Sequence, residues 1–149
     1  MDWDATVAHP SPPPEISLVV PAYNEAESLM PLAAAISETL AAHDIAYELL
    51  FVDDGSKDHT PQVLRQLAAT QLQVRTIRFR HNAGQSAALD AGFKQARGQV
   101  VVTLDADLQN DPRDIPRVLE MLKDYDVVCG IRQGRQDTWL RRLSSRFAN

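Results

Sequence analysis

One cysteine in 149 residues, Cys129, rules out an intrachain disulfide and fits a reducing compartment. It lies in a short apolar run, where a thiol serves as core filler. Aromatic residues make up only 6% of the chain, and its first two thirds show no basic stripe interleaved with them. With a net charge of -5, this argues against a general nucleic-acid binder, so no nucleic acid is expected as a partner. No apolar run approaches the roughly 20 residues that span a bilayer, and the N-terminus lacks the basic-then-apolar pattern of a secretion signal. Glycine is missing from Pro21-Ala22-Tyr23-Asn24-Glu25, the turn after the first apolar strand. A dinucleotide-binding fold needs Gly-x-Gly-x-x-Gly there, which argues against a classical NAD site, and a sugar nucleotidyltransferase would also want a glycine-rich first turn.

What is present is an ordinary globular composition, 44% hydrophobic and 23% charged, of a size for one domain. Residues 1–15 carry Pro10, Pro12, Pro13 and Pro14 with little apolar content and read as a flexible, polyproline-like leader. Residues 16–149 alternate apolar strands with amphipathic helices. Strands are predicted at Ile16–Val20, Leu49–Val52, Val74–Phe79, Val100–Leu104 and Asp126–Gly130. Helices are predicted after Ser28, from Thr60 and Pro61, over Ser86–Ala96 with Gly98 closing it, and over Pro112–Lys123 with Asp111 as its cap. The strict alternation of Val74 to Phe79 suits a strand near the sheet edge, and the unbroken run Val100-Val101-Val102 suits one buried on both faces. This rhythm predicts a three-layer, Rossmann-like α/β fold, a mostly parallel sheet with helices on both faces.

The chemistry gathers where the strands end. Asp105-Ala106-Asp107 follows the Val100 strand, with Gln109, Asn110 and Asp111 close behind. Hard oxygen ligands at alternate positions suit Mg²⁺ or Mn²⁺, which keep waters and share coordination with substrate phosphates. An Asp-rich turn also has a plain structural use, since Asp caps helices and tolerates turn geometry. A helix-loop-helix calcium site is set aside, because its sixth and twelfth positions would be Asn110 and Pro116 rather than Gly and Glu. A haloacid-type phosphatase fits poorly too, with Gln109 where it needs Thr or Val. The exits Tyr23-Asn24-Glu25, Asp53-Asp54-Gly55-Ser56 and Asn82-Ala83-Gly84-Gln85 would converge with the acids on one side of a parallel sheet. There Asp54 could accept from a nucleobase N–H, Tyr23 could pack on its ring, and Asp105 with Asp107 could hold the metal.

Four ordered stretches, Val19 to Glu25, Asp53 to Thr60, Asn82 to Phe93 and Leu104 to Pro112, together resemble family 2 glycosyltransferases of the GT-A fold. The chain is most similar to the dolichol-phosphate mannosyltransferase-like branch, whose members load a hexose onto a polyprenyl phosphate. The resemblance covers Ile16 to about Ser145. It implies a metal-dependent hexosyltransferase that inverts the sugar, with a UDP- or GDP-hexose donor, a polyprenyl phosphate acceptor and Mg²⁺ or Mn²⁺ as cofactor. It implies that Pro21, Ala22, Tyr23 and Glu25 line the nucleotide pocket with Asp53 and Asp54, the latter on the base. Asp105, Asp107 and Gln109 would surround the metal and diphosphate. Arg132, in Gly130-Ile131-Arg132, would lie near the acceptor phosphate, with Arg141 and Ser145. Catalysis would then rest on Asp105, Asp107 and Arg132. Complete members continue past position 149, so a C-terminally truncated domain is expected, and a donor-binding module without turnover is the alternative. Arg132, Arg135, Arg141, Arg142 and Arg146 face a single acid, Asp137. Such a cluster suits an anionic surface at the inner, cytoplasmic face of a membrane.

Overall fold

The computed structural model describes residues 13–130. The leader up to position 12 and the positions Arg132, Arg141 and Ser145, with the rest of the arginine cluster, lie outside the described residues. The elements in order are β1 (Ile16–Ala22), α1 (Leu29–Ala41), β2 (Tyr47–Asp53), α2 (Thr60–Thr70), β3 (Val74–Arg78), α3 (Gln85–Gln95) and β4 (Val100–Thr103). A 3-10 turn (Pro112–Asp114) and α4 (Ile115–Met121) follow. The strands form one parallel sheet in the order β3-β2-β1-β4.

With this order, the hand of the crossovers sets which face each helix covers. Two right-handed connections carry the chain from β1 through β2 to β3 with α1 and α2 on one face, and the long return to β4 puts α3 on the other. Leu18, Val19 and Val20 of β1 are all fully buried, so both faces of the central strand are covered. On the α3 face Val19, Leu50, Val52 and Ala88 form one cluster. Gly92 presses so closely there that a Cβ would collide with Val19 Cγ1. Small residues on α3, Ala88 and Gly92, thus set the helix-to-sheet distance.

The edge position of β3 agrees with its alternating sequence. β4 departs from expectation: it pairs only with β1 among the described residues, and Val101 is 40% exposed. An apolar run records the hydrophobicity of a strand but not whether a neighbour lies beside it. At Asp126–Gly130 the described residues hold no strand. Val127 is 76% exposed, and Cys129 is exposed rather than core filler. A run this short is stable as a strand only with a ladder and a buried face, and it has no such face here.

Several terminal residues serve other ends than the local ones predicted. Ser28 makes no side-chain cap bond to α1; its hydroxyl donates to the Glu25 carbonyl at 3.0 Å. Thr60 lies inside α2, and Asp58 Oδ1 accepts from its N–H at 2.9 Å, while Asp111 caps the 3-10 turn as expected by accepting from Arg113 N. Gly98 closes no helix; a Cβ there would stand 2.5 Å from the Ile16 carbonyl carbon, so its role is close approach to β1. That approach lets Ser17 Oγ accept from Gly98 N at 2.8 Å while donating to Glu48 Oε1 at 2.6 Å. Cα packing divides the chain after Pro116. All four strands and the cavity described next belong to the first unit.

Candidate functional site

Strand order reverses between β1 and β4, and a crevice opens outside the carboxyl ends of the strands at such a switch point. A cavity of about 440 Å³ lies there, lined by Pro21, Ala22, Tyr23 and Glu25 from the β1 exit, Asp54 from β2, Asn82, Gly84 and Gln85 from the β3 exit, and Asp105, Ala106 and Asp107 from β4. That size suits a small organic ligand. Four stretches far apart in sequence form one wall, as the parallel arrangement predicts.

Reciprocal bonds fasten the first two exits together. Asn24, held at a φ of 57°, receives Lys57 N on its Oδ1 at 2.9 Å and donates its own N–H to Ser56 Oγ at 2.9 Å. Glu25 N donates to Thr60 Oγ1 at 2.8 Å. Burial opposes the charge of Asp58, but hydrogen bonds from Thr60 and from the backbone of Ala26 outweigh it and hold that carboxyl below its ordinary range.

Asp54 joins the second exit to the third. Its carboxylate accepts from Ala83 N at 2.7 Å, Gly84 N at 2.9 Å and Asn82 Nδ2 at 2.9 Å. Gly55 makes this possible. Its φ is +72°, and a Cβ would lie 2.5 Å from the His81 carbonyl carbon, so only glycine lets the two turns close on each other.

Asp53 does not share the cavity wall. It is 1% exposed, with Oδ1 accepting from Ser56 N at 2.8 Å and Oδ2 lying 3.2 Å from Arg78 Nε. That Oδ2 has no well-aligned hydrogen bond, so the pair is held by charge more than by directed bonding. Alternation along β2 turns Asp53 to the side opposite Asp54, and the doublet Asp-Asp does not reveal which of the two faces the cavity.

Of the β4 acids, Asp105 is half-buried and accepts from Gln85 Nε2 at 3.1 Å, and Asp107 is exposed. Asp107 Oδ1 accepts from Gln109 N at 3.0 Å, around a turn in which Leu108 takes a φ of 61°. Gln109 itself is not on the cavity wall. The wall therefore brings together Pro21, Ala22, Tyr23, Glu25, Asp54, Asp105 and Asp107, and leaves out Asp53 and Gln109. Asn82, Gly84 and Gln85 are wall residues that no individual assignment from sequence included, although their turn carried the signal.

The electrostatics are one-sided. Glu25, Asp54, Asp105 and Asp107 contribute carboxylates, and no Lys, Arg or His of the described residues lines the cavity. A bare anion would be repelled. No group of three or more His, Cys, Asp or Glu that could enclose a metal occurs among the described residues. A site of two carboxylates with hard oxygens is what Mg²⁺ or Mn²⁺ takes when substrate phosphates and water complete the shell.

Comparison with known proteins places these features in a family. The model of the family described as "Glycosyl transferase family 2" matches residues 17–148. The chain is 46% identical over 137 residues to an undecaprenyl-phosphate 4-deoxy-4-formamido-L-arabinose transferase of Sodalis glossinidius, covering 91% of this chain and 42% of that protein. The protein of the same name from Pseudomonas fluorescens is 46% identical over 136 residues, covering 90% of this chain and 40% of its own. The chain thus spans about two fifths of these curated relatives. Among solved structures, a mannosyltransferase from Pyrobaculum calidifontis in complex with GDP-Man and Mn²⁺ superposes with a TM-score of 0.70 at 29% identity, over 83% of this chain and 37% of that one. TarS of S. aureus in complex with UDP, at 20% identity and a TM-score of 0.59 over 83% of this chain and 40% of that one, shares the fold.

Proposed function

The chain belongs to glycosyl transferase family 2, and from that premise we propose that its cavity binds a nucleotide-diphosphate sugar with a divalent cation, for transfer of the sugar to a polyprenyl phosphate. The observation that carries this reading is the convergence of Asp105 and Asp107 with Tyr23, Glu25 and Asp54 on one wall.

Four carboxylates without a cation make the cavity hostile to a diphosphate unless positive charge enters with it. Asp105 and Asp107 would hold that charge as Mg²⁺ or Mn²⁺, which would act as a Lewis acid on the leaving diphosphate. Gln109 enters through Asp107, whose Oδ1 its backbone N–H engages. On the nucleotide side Tyr23, 41% exposed at the rim, offers a ring for a base to pack on. A carboxylate has about four lone-pair sites. Asp54 uses three of them within the protein, which leaves one for a base N–H.

An acceptor phosphate is anionic near neutral pH, so it needs orientation more than a strong base. Arg132, Arg141 and Ser145, outside the described residues, are assigned that role, and the arginine cluster is assigned to an anionic membrane face on the cytoplasmic side. The curated relatives are named for undecaprenyl phosphate, which supports a polyprenyl acceptor. They are also named for an arabinose derivative, whereas the solved mannosyltransferase carries GDP-Man, so support for a hexose comes from the latter. No helix among the described residues is long and apolar enough to cross a membrane.

A second reading is donor binding without turnover, since every wall residue assigned above engages the donor or its cation. Incubating the full chain with labelled UDP- or GDP-sugar, Mn²⁺ and a polyprenyl phosphate separates the two. Labelled lipid is expected; donor binding with no labelled lipid would favour the second reading.

A further inference from the structure

The geometry points to Gln85 as a positioning residue that sets the Asp105 carboxylate for its cation, an inference that rests on the metal-assisted reading above. Gln85 is the first residue of α3, and its Nε2 reaches Asp105 Oδ1 at 3.1 Å across 20 positions of chain.

Both ends of this bond are mounted on fixed elements. On the helix side, Ala83 and Gly84 give their N–H groups to Asp54, which sets where α3 begins. Ala87 and Ala88 close the first turn on the Gly84 carbonyl, each at 3.1 Å. Further along, the contact of Gly92 with Val19 prevents the helix from shifting inward. On the strand side, Leu104 N donates to the Val19 carbonyl at 3.2 Å, one residue before Asp105. Val19 is therefore the common anchor. Its side chain seats the helix that carries Gln85, and its backbone seats the strand that delivers Asp105.

The chemistry of the donor suits this task. Asp105 shares the wall with Glu25, Asp54 and Asp107, and mutual repulsion would drive an unrestrained carboxylate toward solvent. A cationic partner would restrain it but would compete with the metal for the same charge. A neutral amide engages one oxygen and brings no positive charge of its own to compete with the cation. Partners of this kind fix the orientation of ligating carboxylates, and their loss typically weakens metal binding by about 10- to 100-fold.

The test compares three forms of the full chain. Gln85→Met keeps the length of the side chain and removes the donor, and Gln85→Asn keeps the amide but draws it back by one methylene. Bound Mn²⁺ is counted by electron paramagnetic resonance with Mn²⁺ alone and with Mn²⁺ plus UDP, beside nucleoside binding without metal. Gln85→Met is expected to weaken Mn²⁺ binding by about tenfold, with metal-free nucleoside binding reduced far less, and Gln85→Asn, whose amide falls short of Asp105, is expected to behave as Gln85→Met does. Wild-type Mn²⁺ affinity in Gln85→Met would overturn the inference and leave the metal reading standing. Loss of nucleoside and Mn²⁺ binding together would reduce Gln85 to a structural role. A wild-type chain that binds no Mn²⁺ would overturn the metal reading and the inference with it.

Discussion

Asp54 Oδ1 accepts the backbone N–H of Ala83 at 2.7 Å, so the exit of the second strand grips that of the third across 29 positions of chain. The carboxylate is 4% exposed and serves two further donors. Hydrogen bonds to a charged group contribute about 1.5–3 kcal/mol. Asp54→Ala is therefore expected to lower stability by about that amount in urea unfolding. It should also weaken nucleoside binding measured without metal. A binding defect seen only when Mn²⁺ is present would contradict the placement of Asp54 on the nucleotide side.

Gly55 and Gly84 both hold a positive φ, +72° and +95°, but only Gly55 faces backbone where a Cβ would stand, at 2.5 Å from the His81 carbonyl carbon and 2.7 Å from Asn82 N. Around Gly84 nothing lies within 4 Å. Gly84→Ala, at φ 95° and ψ 157° in a region that essentially only glycine enters, should cost about 1–3 kcal/mol from backbone strain alone. Gly55→Ala should cost more, on the order of 4 kcal/mol, because the β2 and β3 exits must part. Equal melting temperatures for the two variants would show that the close approach contributes nothing.

How much of this was legible beforehand divides along a physical line. The parallel sheet, the edge character of Val74–Arg78 and the convergence of Tyr23, Asp54, Asp105 and Asp107 follow from apolar periodicity and from the rule that parallel strands share one exit side. What escaped the sequence depends on partners distant in the chain. Thr60 has the composition of a helix cap, yet its hydroxyl accepts from Glu25 N, 35 positions away. Gly98 has the position of a helix stop and instead admits the backbone of Ile16 and Ser17. Asp53 and Asp54 are chemically identical, and only the pleat of β2 sends one to Arg78 and the other to the cavity. Val101 is apolar, and composition gave no sign that one of its sides stays exposed.

At the opposite end of the sheet, buried Glu48 accepts from Ser17 Oγ at 2.6 Å, Arg97 N at 2.7 Å and Arg75 Nη1 at 2.7 Å. Burial works to raise its pKa, but the bonds from Ser17, Arg75 and Arg97, with the charge of Arg75, outweigh it and hold the carboxyl below its ordinary 4.5. Because the folded value is the lower one, the stability it contributes is present above about pH 4.5 and is lost as pH falls through the folded value. Urea midpoints taken from pH 6 to pH 3 should therefore fall more steeply for the wild type than for Glu48→Gln. Parallel profiles would show that Glu48 ionises alike in the folded and unfolded chains.

Calorimetric titration of the full chain with UDP and with GDP, each with and without Mn²⁺ and repeated on Asp107→Asn, tests the central claim most directly. One diphosphate is expected to bind at least about thirtyfold more tightly with Mn²⁺. Asp107→Asn should remove that gain, a loss on the order of 2–4 kcal/mol, while the chain melts as the wild type does. Binding that is the same with and without Mn²⁺, or unaltered in Asp107→Asn, would contradict the account.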